Sequence, residues 1–270
     1  MPIECRIRFP RLTEGEMGEI DYRVMSHAFA TQNELGQLCD ESVYQLSFAD
    51  RLRAAGFVPQ IEVPITLTFR EFSTTLFLDL VVDDQVPYEL KAVNQLADEH
   101  ENQMLNYLLM TNASRGKVVN FRSKSVQSRF VNAPLDAAER RRFDIDSTRW
   151  SGDRSFQKLV TELIQDWGTS LDQSNYSQAI VECLGGKDQV IRQLPMELEG
   201  RSLGNQRFLL ASDNAAFRIT TFQDGAPRDY VKQPWKLLRP SPLDCFYWVN
   251  VGRHRLDFQT MFRGSHRQED

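Results

Sequence analysis

Two short runs decide how this chain folds: Phe77-Leu78-Asp79-Leu80-Val81-Val82 and Tyr88-Glu89-Leu90-Lys91-Ala92-Val93. Both are apolar and of strand length, and Asp83-Asp84-Gln85 between them is a turn signal. Successive strand side chains face opposite ways, so Glu89 and Lys91 share a face. A turn centred on Asp84 sets Asp79 opposite Glu89. Opposed Cα atoms then lie ~4.5–5.5 Å apart, close enough for both carboxylates to hold one ion. A turn half a step earlier sets Asp79 against Tyr88 and parts the acids, so the register decides the matter. With the first register the other face carries Leu76, Leu78, Leu80, Val82, Val86 and Leu90, which is a core face.

Two carboxylates this close repel, and one takes up a proton unless a cation intervenes. A hard divalent ion resolves the conflict. Mg²⁺ suits a site of few carboxylates completed by water and phosphate oxygens, and Mn²⁺ is its expected substitute. Lys91 alongside is placed to orient an attacking water and to stabilise developing negative charge. The competing reading is a cross-strand ion-pair cluster worth ~0.2–1 kcal/mol per pair. Hairpin spacing alone leaves both open.

Outward from the hairpin, the first half alternates helices and strands. Thr13 and Glu16 have the spacing of a capping box opening a helix that runs to about Leu35, with Ile20, Val24, His27 and Ala28 at helical spacing and Gly36 as its stop. Asp40 is a good N-cap for a second helix carrying Val43, Leu46, Ala49 and Leu52, with Gly56 past its end. Ile61, Val63, Ile65, Leu67 and Phe69 alternate with polar residues as a half-buried strand should. A third helix over about Leu96–Met110 and a strand over Lys117–Phe121 complete an α/β domain, residues 1–124. Residues 125–270 read as an α+β accessory region. Helices are expected over Ala137–Phe143, Phe156–Trp167 and Tyr176–Leu184, and hairpins about Ser212-Asp213-Asn214 and Gly252-Arg253-His254. The polar tail after Arg263 reads as loose.

Asp79 followed by Glu89-Leu90-Lys91 matches the PD-(D/E)xK nuclease pattern, and the flanking blocks resemble its GxxExxY branch. The blocks are Asn33-Glu34-Leu35-Gly36, Glu41-Ser42-Val43-Tyr44, Glu89 to Val93, Gln103-Met104-Leu105-Asn106-Tyr107-Leu108 and Asn120-Phe121, in the family's order over about Asp21–Arg122. Leu38 stands where the GxxExxY signature opens with glycine. The resemblance implies a restriction-endonuclease-like mixed sheet flanked by helices. It also implies Asp79 and Glu89 as metal ligands with the Leu90 carbonyl as a third, Lys91 as the water-positioning cation, Glu41 as a further metal-side acid and Gln103 as a polar contact near the scissile phosphate. The implied activity is Mg²⁺-dependent hydrolysis of phosphodiester bonds in nucleic acid, DNA first.

Residue types support part of that set. Glu41 and Tyr44 are three apart, on one helical face, as are His100, Gln103 and Tyr107. Tyr44 and Tyr107 read as packed aromatics with bonded hydroxyls. Glu41 equally suits a helix's first turn, and His100 reads as a satisfied or surface histidine.

Composition sets the frame. The 270 residues are 41% hydrophobic and 26% charged, which excludes disordered and fibrous classes. No apolar run approaches the ~20 residues of a membrane span. The start, Met1-Pro2-Ile3-Glu4-Cys5-Arg6, lacks the pattern of a secretion signal, so a cytoplasmic location is expected. Four scattered cysteines without a CxxC pair read as reduced thiols. Net charge is −5: through Lys124 there are 12 basic and 18 acidic residues, and beyond it 20 and 19. A nucleic-acid substrate therefore calls for a bound metal or a local basic patch. Arg140-Arg141-Arg142 reads as a solvated helix face, Phe246-Tyr247-Trp248 as an ordinary aromatic strand, and Gly185-Gly186-Lys187 lacks the rest of a phosphate-binding loop. Beside the nuclease stand two other readings: a catalytically inactive module that keeps the fold as a nucleic-acid or protein platform, and a hydrolase of small phosphorylated molecules.

Overall fold

The computed structural model describes residues 2–264. It divides into two compact units, one comprising the chain up to Thr68 with Thr74–Ala137, the other Phe69–Ser73 with the chain from Ala138 onward. Each unit carries a six-stranded mixed sheet with helices against it.

The first unit runs β1 (Ile3–Cys5), α1 (Glu14–Leu35), α2 (Glu41–Ala54), β2 (Pro59–Phe69), β3 (Phe72–Val82), β4 (Val86–Lys91), α3 (Asp98–Thr111), β5 (Arg115–Asn120) and β6 (Gln127–Asn132). The strands lie in sequence order, with β4 and β5 parallel. Helix α1 starts where the capping box says it should: Thr13 Oγ1 accepts the Glu16 N–H, and the Glu16 carboxylate accepts the Thr13 N–H at 2.8 Å. It stops at Gly36, whose φ of 71° favours glycine.

Helix α2 forms as expected but turns a different stripe inward. Tyr44, Gln45, Phe48, Ala49 and Leu52 are buried, whereas Val43 and Leu46 are 43% and 53% exposed. The reason is Tyr44. Its ring stacks on Phe121 with centroids 5.0 Å apart, and its hydroxyl donates to the Gly36 carbonyl. Helices α1 and α2 cover a core of Leu80, Val82, Val86, Tyr88 and Leu90, while α3 closes the sheet's other side with Met104 and Leu108 over Val118 and Val131. Strand β4 is therefore buried on both faces. The unit also reaches further than residue 124. Strand β6 pairs antiparallel with β5 from Asn120↔Gln127 to Arg115↔Asn132. Only Val131 of β6 is buried, so it carries no alternating pattern to read.

The second unit runs β7 (Asp144–Arg149), α4 (Arg154–Trp167), α5 (Gln173–Cys183), α6 (Lys187–Val190), β8 (Ile191–Leu198), β9 (Arg201–Ser212), β10 (Ala215–Thr220), α7 (Arg228–Val231), α8 (Gln233–Leu238), β11 (Cys245–Val251) and β12 (Arg255–Phe262). Its sheet order is β7-β12-β11-β10-β9-β8. Both expected hairpins form, and Phe246, Tyr247 and Trp248 are buried in β11. The helix expected over Ala137–Phe143 does not: only one 3₁₀ turn, Glu139–Arg141, precedes β7. Arg140 is not on a solvated face. It is 2% exposed and donates to the carbonyls of Trp167 and Thr169, both at 2.7 Å, satisfying acceptors that the end of α4 leaves over.

Among the described residues no helix is long and apolar enough to cross a membrane. The tail beyond Gly264 lies outside the described residues.

Candidate active site

The β3–β4 turn sets the site. Asp83 and Asp84 both take left-handed backbone (φ 53° and 55°), and the Gln85 N–H donates to the Val82 carbonyl. Aspartate tolerates that region better than most residues, which suits it to such a turn. The strands then pair Val82↔Val86, Val81↔Pro87 and Leu80↔Tyr88. This is the register centred on Asp84, and one step further it sets Asp79 at Glu89. There the regular ladder ends, and the Leu90 N–H donates to Asp79 Oδ2 at 2.7 Å.

Glu89 is fully buried. Its Oε1 accepts from Lys91 Nζ at 2.5 Å, and its Oε2 has no hydrogen-bond partner among the described residues. The Lys91 side chain is 12% exposed, with Glu41 Oε1 3.9 Å from its ammonium. Glu41, in the first turn of α2, accepts the Ala92 N–H through Oε2 at 3.2 Å. Just beyond, the Asn120 side chain bonds both the N–H and the carbonyl of Val93, holding the chain as it leaves β4.

Burial costs an anion its hydration, and here it dominates. It raises the Asp79 carboxyl to about 6 against the opposing Leu90 N–H and the Lys91 charge. It raises Glu89 to about 8, helped by the charge of Asp79 and opposed by Lys91. Burial alone depresses an ammonium, yet the carboxylates of Glu89, Asp79 and Glu41 outweigh it and hold Lys91 protonated, above its ordinary range.

On α3, Gln103 Nε2 donates to the Tyr107 hydroxyl at 3.1 Å. The Tyr107 phenol is raised first by burial, with Gln103 opposing and the charges of Glu89 and Asp79 adding. Gln103 is thus one hydrogen bond from a ring that senses the acids. His100 serves the helix instead, its Nδ1 accepting the Ala97 N–H at 2.9 Å.

Two residues at this site escaped the sequence reading. Gln45 is buried and donates to the Asp79 carbonyl and to Glu62 Oε1, both at 2.8 Å. Glu62 has φ 50° within β2, and its charge adds to the upward push on Asp79. Gln45 lies one helical turn after Glu41, a spacing that could have flagged it. Nothing in the sequence announces the bend at Glu62.

The donor set fits a hard cation in part. Two ionisable carboxylates sit together, both disfavoured as bare anions, and one buried oxygen has no donor among the described residues. Yet among the described residues no three His, Cys, Asp or Glu side chains gather as a metal-binding group. Such a site suits an ion that keeps several waters.

Residues 18–131 match the PD-(D/E)XK nuclease superfamily. The match runs from α1 to β6 and carries Glu41, Asp79, Glu89, Lys91 and Gln103. The mixed sheet flanked by helices is consistent with the restriction-endonuclease-like fold of that superfamily. No curated protein matches the chain. Among solved structures, one titled "Crystal structure of SSO0001" is similar at 18% identity and a TM-score of 0.30, over 45% of this chain. The chain spans 61% of that protein's length.

Proposed function

We propose that the first unit is a metal-dependent nuclease, of the GxxExxY branch, that hydrolyses phosphodiester bonds in DNA with Mg²⁺ as its ion and Mn²⁺ as a substitute. The observation that carries this is the pairing of two buried acids, Asp79 and Glu89, both held above the carboxylate range, with an ammonium, Lys91, held charged beside them. Asp79 and Glu89 would hold the ion, with Glu41 as the acid on the α2 side. When bound, the ion supplies charge neutralisation at the phosphate and an acidified water.

The remaining work falls to side chains. Lys91 orients the attacking water and stabilises charge developing on the phosphate. Its 12% exposure leaves the ammonium reachable while keeping it in a medium of reduced dielectric. Gln103, an exposed residue of α3 whose amide also donates to Tyr107, would contact the phosphate. Gln45 holds the backbone carbonyl of Asp79 and so its direction. The second unit is an accessory domain to this centre.

The test is cleavage of single- and double-stranded DNA and RNA by the full chain, with Mg²⁺ or Mn²⁺ against EDTA. DNA cleavage that needs the cation and disappears in Asp79→Ala and Lys91→Ala is the expected result. Activity unchanged in both variants removes those residues from the reaction. One observation favours a second reading, an inactive platform with the nuclease fold: among the described residues Glu41, which accepts the Ala92 N–H, does not gather with Asp79 and Glu89 into a three-ligand group. That reading predicts salt-sensitive nucleic-acid or protein binding with no metal-dependent turnover.

A further inference from the structure

Strand β10 pairs with its two neighbours unequally. It runs parallel with β11 along its whole length, Ala215↔Cys245 to Thr220↔Asn250. With β9 it pairs only at Ala215 and Ala216, with a register shift between them. Beyond Ala216 the two strands part, and a cleft of about 630 Å³ opens between β9, β10, the start of α5 and α8. A second hollow of about 310 Å³ adjoins it under α7 and α8, and Arg218 lines both.

The charged groups of this groove are mostly of one sign, above a lining that includes Phe208, Leu209, Phe217 and Phe246. Arg207 and Arg218 line the cleft, and Lys236 lines the hollow. None of the three forms an ion pair among the described residues. The carboxylate that lines the groove, Asp172, is engaged at the cap of α5, accepting from the Ser174 N–H and hydroxyl. Ser177 adds a hydroxyl to the cleft, and Tyr230, its ring packed edge-on against Phe222, borders the hollow. Unpaired guanidinium groups cost little when left in water and gain most from phosphate, which they grip bidentately. A ring beside a basic track gives a base somewhere to stack.

We propose that this groove of the second unit binds the phosphate backbone of single-stranded nucleic acid, with Arg207 and Arg218 on successive phosphates and Tyr230 beneath a base. Charge complementarity selects the occupant: the groove offers cations, hydroxyls and the ring of Tyr230 above a floor that includes Phe208, Phe217 and Phe246, and a polyanion with stackable bases answers all of them. The inference takes nucleic acid as ligand from the reading of the first unit, but binding here needs neither metal nor hydrolysis.

The experiment titrates a fluorescein-labelled single-stranded DNA oligonucleotide with the full chain in EDTA, by anisotropy, at several salt concentrations. Arg207→Ala with Arg218→Ala is compared with wild type and with Arg154→Ala, an exposed arginine on α4 outside the groove. The expected result is at least about tenfold weaker binding in the double variant and a salt slope shallower by about 1.4, since each lost contact to a single strand removes about 0.7. Arg154→Ala should bind as wild type does. The proposal is overturned if wild type shows no salt-sensitive binding, or if the double variant binds unchanged, which would leave the open edge of β10 to an extended peptide. Binding without cleavage sinks the nuclease reading alone; cleavage with unchanged binding in the double variant sinks the groove alone.

Discussion

The carboxylate of Asp79 accepts the main-chain N–H of Leu90 at 2.7 Å, taking over where the regular β3–β4 ladder ends. One acid is thereby tied to the strand that carries the other, and their separation is set by backbone rather than by two mobile side chains. Asp79→Asn keeps an oxygen for that N–H, whereas Asp79→Ala leaves a partly buried donor unpaired, at a cost of about 1–3 kcal/mol. Thermal denaturation should find the asparagine variant near wild type and the alanine variant less stable. Mn²⁺ titration should find both without tight binding.

The pH dependence of stability follows from Glu89. The folded chain keeps a proton there up to about pH 8, while an unfolded chain releases it near the usual carboxylate value of about 4.3. The folded state binds more protons across that interval, so without metal this group's contribution declines as pH rises from about 4 to about 8. Glu89→Gln carries no such proton. In EDTA its Tm should gain on wild type between pH 5 and pH 8, by a few degrees. Added Mg²⁺ or Mn²⁺ should narrow the gap by stabilising wild type, more at pH 8 than at pH 6. A gap independent of pH would contradict the raised carboxyl.

Gln45 joins the Asp79 carbonyl to Glu62 from a buried position. Gln45→Leu keeps the volume and removes both bonds. The expected outcome is a kcat lowered about tenfold or more with KM little changed, since the acid it steadies acts on the reaction rather than on substrate capture. Gln45→Glu should be worse, because it adds a fourth acid beside Asp79. Equal losses of kcat and stability in both variants would mean that Gln45 serves packing alone.

Arg140 offers a test remote from chemistry. Its guanidinium closes two carbonyls at the end of α4 from a site 2% exposed. Arg140→Ala removes the guanidinium from both carbonyls and should cost about 2–4 kcal/mol, read from denaturant unfolding. Arg142→Ala, at an exposed neighbouring position, should cost under about 0.5 kcal/mol.

How much of this was legible in the sequence depended on whether a residue's role was local. The capping box at Thr13, the stop at Gly36 and the pairing of β3 with β4 rest on near neighbours and were readable. The stripe on α2 was not, because Tyr44 outcompetes Val43 for the interior only once Phe121, far along the chain, is in place. Arg140 looked like part of a charged surface because the groups it binds include main-chain carbonyls, which no sequence displays. Gln45 and Glu62 meet across 17 positions, through a backbone bend that glutamate does not advertise. Strand β6 is an exposed edge, and edges lack the alternation that betrays a half-buried strand.

Anomalous diffraction from a crystal of the full chain soaked in Mn²⁺ addresses the acidic centre most directly. The expected result is a peak bridging Asp79 and Glu89, within about 2.5 Å of a carboxylate oxygen from each, with the Lys91 ammonium alongside and no peak in Asp79→Asn. Density for the ion elsewhere on the molecule, with Glu89 still closed on Lys91, would contradict the account.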